Sequence, residues 1–162
     1  MNSRDRAAWE IHGFFMGLGV KYAIIGGMAV QYWGEPRFTQ DIDLTVSAPL
    51  DDLEGFIQRI LDHFAPRIDD ALDFAKENRV VLVKSANDYP LDIALGLPGY
   101  EDEMLRRSVE YTIAPGKEVF ICSAEDLIIH KAFASRAQDI RDIEGIVYRQ
   151  LGGLDDDYIR RW

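Results

Sequence analysis

The stretch IIGGMAVQYWGEPRFTQDIDLTV, residues 24–46, decides how the rest of the chain is interpreted. Its apolar start predicts a strand over residues 22–25, and the glycine pair at 26–27 predicts a tight turn. Residues 28–33 then predict a short helix, and a polar loop leads from it to a second strand. The chain should therefore carry a strand, a glycine turn and a helix directly before its most polar strand.

That second strand carries two aspartates on one face. Apolar residues at 42, 44 and 46 alternate with Asp41, Asp43 and Thr45, so the two carboxylates point the same way. Their Cβ atoms should lie roughly 7 Å apart, which is short enough for both carboxylates to bind one divalent cation or an adjacent pair. Mg²⁺, with Mn²⁺ as the alternative, is the expected ion, because one or two carboxylates completed by phosphates and water often hold it. The pair alone leaves a second interpretation open, an edge strand with a solvated face.

Composition narrows the class of protein. A length of 162 residues predicts one domain over 1–162, with a core over about 20–122 and C-terminal helices over about 123–162. The formal charge of −10 argues against a broad nucleic-acid-binding surface, although it leaves room for a local basic pocket. The chain contains no apolar run near the ~18 residues of a membrane span, and its start lacks the apolar core of a signal peptide. We therefore expect a cytoplasmic protein, and we expect its one cysteine, Cys122, to be buried and inert.

The remaining sequence predicts helices and strands around these two central strands. Apolar spacing predicts helices over residues 4–18, 69–77 and 101–107. Capping residues predict one helix that begins at Ser47, has Pro49 in its first turn and ends at about 64, and another that begins with a capping box at Ser123; a further helix starts near 134–137, and the last one lies near the end of the chain. Strands are predicted over 80–83 and 91–95, and a hairpin over 109–113 and 118–122.

A third aspartate interrupts the apolar strand predicted over 91–95. Leu91, Ile93 and Leu95 face one way, and Asp92 faces the other way. A glycine turn lets the backbone approach a ligand closely, and the N-terminus of the following helix favours phosphate, although a glycine pair by itself is more often only a turn. A phosphate cradle, a metal platform and a third carboxylate are together what nucleotide transfer needs. Cations neutralise the triphosphate, and a base takes the proton of the attacking hydroxyl.

These features resemble the nucleotidyltransferase superfamily related to DNA polymerase beta, whose signature is a glycine pair on a short helix, an aspartate pair and a third acidic residue. The segments GGMAVQYWGEPRFTQDIDL (26–44), LPGYE (97–101) and SAEDLIIHKAFASRAQDIRDI (123–143) are more specifically similar to the AbiEii-type nucleotidyltransferases. These are the toxin partners of abortive-infection and type IV toxin–antitoxin systems. The similarity spans roughly residues 21–147 and implies an α+β fold with a mixed or antiparallel sheet flanked by helices.

The resemblance also implies roles for five residues. Gly26 and Gly27 match the turn on the phosphate side of the site. Asp41 and Asp43 match the metal ligands, and Asp92 matches the third carboxylate, which acts as base and shared ligand.

Three further residues are candidates for nucleotide binding. Lys131 matches the lysine of the family's helical motif, where a cation near the triphosphate is expected, whereas most helix lysines are simply solvated. Arg37 and Thr39 lie in the loop before the aspartate pair and can reach the triphosphate if that loop closes over the site. Arg136 is expected to pair with Asp139 or Asp142, which match acidic positions of the family.

Other side chains receive structural interpretations. The aromatic residues Tyr32, Trp33 and Phe38 can stack on a base, but we expect them in the core because aromatics beside a short helix usually lie there. The three histidines show no metal-ligand spacing.

Three functions are consistent with these residues. The first is metal-dependent transfer of a nucleoside monophosphate from an NTP to a hydroxyl, in a toxin-like setting in which the resemblance implies a tRNA end or a protein side chain as acceptor and an antitoxin as partner. The second keeps the chemistry and makes the acceptor a small molecule such as an antibiotic. The third is a nucleotide- or partner-binding module without turnover, which the presence of all three aspartates disfavours.

Overall fold

The computed structural model describes residues 1–162 and contains eight helices and seven strands. The helices are α1 (Ser3–Gly17), α2 (Gly26–Trp33), α3 (Leu53–His63), α4 (Ala71–Asn78), α5 (Tyr100–Arg106), α6 (Ala124–Ala134), α7 (Ala137–Arg149) and α8 (Asp156–Arg161). The strands are β1 (Tyr22–Ile25), β2 (Ile42–Ser47), β3 (Ala65–Pro66), β4 (Val80–Lys84), β5 (Pro90–Gly96), β6 (Val109–Ala114) and β7 (Lys117–Ile121). None of the helices combines the length and the apolar character that crossing a membrane requires.

All seven strands form one mixed sheet in the order β3-β4-β5-β2-β1-β7-β6. β1 is antiparallel to β2 and parallel to β7, and β2 is parallel to β5. The other neighbouring pairs are antiparallel. This confirms the expected α+β class with helices flanking a mixed sheet. The register places Ile25 opposite Asp43, and Asp43 opposite Asp92.

Apolar side chains on the two faces of the sheet form two buried clusters. In the larger cluster, α1, α3 and α4 pack against strand residues such as Ile24, Ile42 and Ile93. In the smaller one, α2, α5, α6 and α7 pack around Ala23 and Cys122. Because side chains alternate along a strand, burying Ile42 and Leu44 on one face leaves Asp43 on the other. Full burial of an Ile or Leu side chain contributes about 1.5–3 kcal/mol, so the register of β2 is strongly fixed.

Several sequence predictions of local structure are confirmed, namely the first helix, β1, β4, β5, the β6–β7 hairpin and the Ser123 cap of α6, whose hydroxyl accepts from the Asp126 N–H. The predicted start of α3 is wrong. Ser47 ends β2 and its N–H donates to the Lys21 carbonyl at 2.9 Å, which extends the β1–β2 pairing. Asp52 caps α3 instead, accepting from the Gly55 N–H at 3.3 Å.

The remaining differences concern element ends. The helix α2 already begins at Gly26, so the glycine pair lies in its first turn, and β2 begins one residue after Asp41. The short edge strand β3 was not predicted, because two residues carry no detectable alternation. The break between α6 and α7 lies at Ser135, which adopts a left-handed conformation with φ of 53°.

Candidate active site

Three carboxylates meet on the open face of the sheet. Asp43 in β2 and Asp92 in β5 lie opposite each other in parallel strands, and Asp41 precedes β2. One carboxylate oxygen from each of the three lies within 4.8 Å of the others, and all three side chains are half-buried. This is the only group of three or more side chains in the chain whose geometry could hold a metal ion, and it contains no histidine or cysteine. A ligand set made only of carboxylate oxygens fits a hard cation such as Mg²⁺ or Mn²⁺.

The carboxylates repel one another. Burial, followed by the charges of Asp41 and Asp92, raises the pKa of Asp43 to about 6, although Lys131 and Arg136 oppose the rise. Burial also raises the pKa of Asp92, more than the neighbouring Arg67 lowers it. Three carboxylates held this close therefore favour the binding of a proton or of a cation.

Arg67, directly after β3, is a site neighbour that the sequence did not reveal. Its Nη2 donates to Asp92 Oδ1, and its backbone N–H donates at 3.0 Å to the carbonyl of Leu82 in the neighbouring strand β4. The side chain thus reaches Asp92 across β4, and the guanidinium fixes the orientation of that carboxylate. Because the contact joins residues far apart in sequence through an edge strand of two residues, no local pattern indicates it.

The glycine turn lies directly against the carboxylates. Gly26 has a φ of 64°, and a Cβ atom on it would overlap the Asp43 carboxylate. A Cβ atom on Gly27 would lie 2.7 Å from Thr39 Cβ. No side chain caps the N-terminus of α2, so the N–H groups of its first turn have no capping partner. These donors, next to the three carboxylates, form a site that suits phosphate oxygens.

We expect Gly26→Ala to destabilise the fold and to weaken cation binding. A left-handed conformation costs a residue with a Cβ about 1–2 kcal/mol, and the new methyl group must also displace Asp43. Thermal unfolding and titration with Mn²⁺ measure the two effects. Gly13→Ala, in the middle of α1 with no atom within 4 Å of the added Cβ, is the matched control and should stabilise by about 0.5–1 kcal/mol. Unchanged stability and Mn²⁺ affinity in Gly26→Ala would contradict the close contact.

The opposite wall of the site is a network of three cations and two aspartates. Lys131 is only 5% exposed, and its Nζ lies 2.8 Å from Asp142 Oδ2 and 3.2 Å from Asp139 Oδ1. Arg37 binds Asp142 through two nitrogens at 3.0 Å, and Arg136 Nε lies 2.7 Å from Asp139 Oδ2. The hydrogen bond from Arg136 is the main reason that the pKa of Asp139 falls to about 2. The wall therefore has a net positive charge, and Lys131 is not the solvated surface lysine that helix statistics suggest.

These elements enclose a cleft of about 360 Å³ with no hydrophobic residue in its lining. It brings together all eight residues that the sequence singled out, and Arg136 and Gln138 complete it. The lining residues are Gly26, Gly27, Arg37, Thr39, Asp41, Asp43, Asp92, Lys131, Arg136 and Gln138. The predicted pairing of Arg136 with Asp139 is confirmed, and Gln138 is an addition that its position at the start of a helix did not indicate.

The aromatic residues beside α2 lie in different environments. Trp33 is half-buried, and its Nε1 donates to the Cys122 carbonyl at 2.9 Å, which is a structural role. The prediction that Tyr32 and Phe38 lie in the core is wrong, since they are 44% and 82% exposed. The expected burial of Cys122 is confirmed, and burial raises the pKa of its thiol, which disfavours the reactive thiolate.

The sequence matches the model of one protein family, and the structure shares its fold with several solved structures. The family described as "Nucleotidyltransferase of unknown function (DUF6036)" matches residues 16–152. An antigenic nucleotidyltransferase-like protein from Paracoccidioides brasiliensis is 17% identical, with a TM-score of 0.58 over 90% of this chain and 75% of that one. No curated protein matches the chain.

Two further solved structures share the fold. The lincosamide antibiotic adenylyltransferase LnuA, bound to lincomycin, is 16% identical, with a TM-score of 0.55 over 90% of this chain and 98% of that one. The antibiotic-resistance factor ANT(2'')-Ia is 16% identical, with a TM-score of 0.61 over 98% of this chain and 89% of that one. At such low identity these likenesses show the arrangement of elements alone.

Proposed function

Because the chain belongs to this nucleotidyltransferase family, we propose that it is a metal-dependent enzyme that transfers a nucleoside monophosphate from an NTP to a hydroxyl group. The observation that carries this proposal is the cluster of Asp41, Asp43 and Asp92, with ligand atoms within 4.8 Å of one another beside an uncapped helix N-terminus. The complete set of carboxylates favours an active enzyme over a binding module without turnover.

The three aspartates would hold Mg²⁺ or Mn²⁺, to which their oxygen-only ligand set is suited. Such an ion neutralises charge on the triphosphate and favours ionisation of the attacking hydroxyl. Gly26 and Gly27 permit close approach of the phosphates, because neither carries a Cβ that would fill the cleft.

The cationic wall would bind the rest of the triphosphate. Arg37, Lys131 and Arg136 line the cleft together with the Thr39 hydroxyl. Since Asp139 and Asp142 hold these cations in place, their positions are set before a nucleotide binds. This arrangement supports nucleotide-binding roles for Arg37, Thr39 and Lys131.

Asp92 would act as the general base. The acceptor oxygen attacks the α-phosphorus, and its proton passes to the Asp92 carboxylate. The bond between the α-phosphorus and the oxygen that bridges to the β-phosphate breaks, and pyrophosphate leaves with that oxygen. Arg67 would keep the carboxylate oriented toward the acceptor.

The acceptor is proposed from the AbiEii-type resemblance. This resemblance favours a hydroxyl on a macromolecule as the acceptor, either a tRNA end or a protein side chain. The enzyme itself would be a cytoplasmic toxin-like protein that an antitoxin controls. A second candidate acceptor is an antibiotic, because two solved structures with this fold, LnuA and ANT(2'')-Ia, are named for antibiotic modification or resistance.

Incubation with each labelled NTP, Mg²⁺ and separate RNA, protein and antibiotic pools tests the proposal. We expect pyrophosphate release and label on RNA or protein, and loss of both in Asp92→Ala. Label on an antibiotic alone would support the second candidate. No pyrophosphate release with any pool, together with measurable NTP binding, would contradict enzymatic transfer and indicate a binding module.

A further inference from the structure

Phe38 is the most exposed large apolar side chain of the protein, at 82%. A single exposed phenylalanine is common on protein surfaces and needs no function. This one differs because the loop that carries it is fixed on both sides, and because both neighbouring residues line the catalytic cleft.

The residues on either side of Phe38 are anchored by hydrogen bonds. Arg37 is held by Asp142, and its carbonyl accepts from Gln31 Nε2 at 3.0 Å. The Thr39 carbonyl accepts from the Tyr89 hydroxyl at 3.3 Å. The backbone on both sides of Phe38 is therefore held in place, so little loop entropy is lost when a ligand binds to the ring.

The ring lines a separate hollow of about 220 Å³ beside the cleft. Tyr89, Gln31, Arg4 and Thr39 are also part of its lining, and Thr39 lines the catalytic cleft as well. The two spaces thus share a wall. The ring thus lies next to the residue that borders the cleft on this side.

We propose that Phe38 stacks on the base of the donor nucleotide, an inference that rests on the proposed function. Every nucleobase has a flat face that an aromatic ring can bind. Two polar side chains of the hollow are already paired within the protein, since Gln31 bonds to Arg4 and to the Arg37 carbonyl, and Arg4 also pairs with Asp5. The site therefore selects among bases by stacking area, and purine nucleotides bind more tightly than pyrimidine nucleotides.

The test compares a non-hydrolysable ATP analogue with inorganic tripolyphosphate, which lacks a base, by calorimetry in Mg²⁺. In Phe38→Ala we expect affinity for the analogue to fall about 5- to 150-fold, the effect of losing one base–aromatic stack, and affinity for tripolyphosphate to stay unchanged. Phe38→Trp should keep the affinity and show fluorescence quenching by the analogue only. Phe133→Ala, which removes a ring that is 77% exposed and outside both spaces, is the matched control.

Other outcomes overturn the inference in distinguishable ways. Equal affinity of Phe38→Ala and the unmodified protein for the analogue excludes stacking, and an equal loss for both probes shows a disturbed loop instead. Normal analogue binding with impaired transfer to RNA assigns the stack to an acceptor base and overturns the donor assignment. Failure of the unmodified protein to bind either probe contradicts the proposed function itself.

Discussion

Asp43→Asn is expected to reduce nucleotidyl transfer at least ~1,000-fold while making the metal-free protein more stable. The substitution keeps the shape of the side chain and removes the central charge of the ligand set. Pyrophosphate release in Mg²⁺ measures the first effect. Asp88→Asn is the matched control, because Asp88 is an exposed turn residue paired only with Lys84, and it should change neither quantity appreciably.

The gain in stability follows from the pKa of Asp43, which is raised from 3.8 to about 6 in the folded protein. The folded state therefore binds the proton more tightly than the unfolded state, and ionised Asp43 lowers the free energy of unfolding above pH 6. A rise of about 2 pKa units corresponds to at most about 3 kcal/mol. The advantage of Asp43→Asn should thus be full at pH 8 and should disappear as the pH falls toward 4.

Urea unfolding in the presence of a chelator, at a series of pH values, measures this difference. Adding Mg²⁺ or Mn²⁺ should stabilise the unmodified protein more than the variant, because only the former keeps all three carboxylates. Transfer activity that survives in Asp43→Asn would exclude the metal assignment, whereas an unchanged stability at pH 8 would show that neither burial nor the neighbouring carboxylates destabilise ionised Asp43.

Lys131→Met is expected to lower the free energy of unfolding by about 3–5 kcal/mol. Methionine retains most of the aliphatic stem but leaves Asp139 and Asp142 buried with less compensation. Lys76→Met is the matched control, since the exposed pair of Lys76 with Glu54 contributes at most about 1 kcal/mol.

A double-mutant cycle separates the ion pair from simple loss of packing. Asp142→Asn should cost less stability when added to Lys131→Met than when made alone, because the Asp142 carboxylate has then already lost one of its two cationic partners. Chemical denaturation of the four proteins gives the coupling energy. Strictly additive losses, or a loss no larger than that of Lys76→Met, would show that Lys131 does not compensate buried charge.

The central strands and the three aspartates could be predicted because their signal is local. Alternation along β2 and β5 places Asp43 and Asp92 on the sheet face opposite to that of their buried neighbours in the same strand, and the tertiary structure keeps this arrangement. The Gly26 turn is likewise visible as a strand followed at once by two glycines. Most of the acidic half of the cleft can therefore be predicted from local sequence patterns.

The sequence indicates Arg37 and Lys131 as candidates, but the ion pairs around the cleft depend on tertiary contacts that no short pattern carries. Arg67 reaches Asp92 across another strand, and Lys131 is buried only because α7 packs against α6 and supplies two carboxylates. The prediction that Phe38 lies in the core is wrong because the sequence does not show whether another helix or strand packs over the loop that carries it. Ser47 looked like a helix cap because a serine before a proline suits that position, but pairing with β1 prevailed.

The parallel pairing of β2 with β5 has a consequence for synthesis of the protein on the ribosome. In the chain, α3, β3, α4 and β4 lie between Asp43 and Asp92, and the cations Lys131 and Arg136 come later still, in α6 and directly before α7. Such contacts between distant segments form late, because the entropy of closing the chain must be overcome first. A nascent chain that ends before α7 therefore lacks Asp139 and Asp142, and we expect the site to be complete only after α7 has left the exit tunnel.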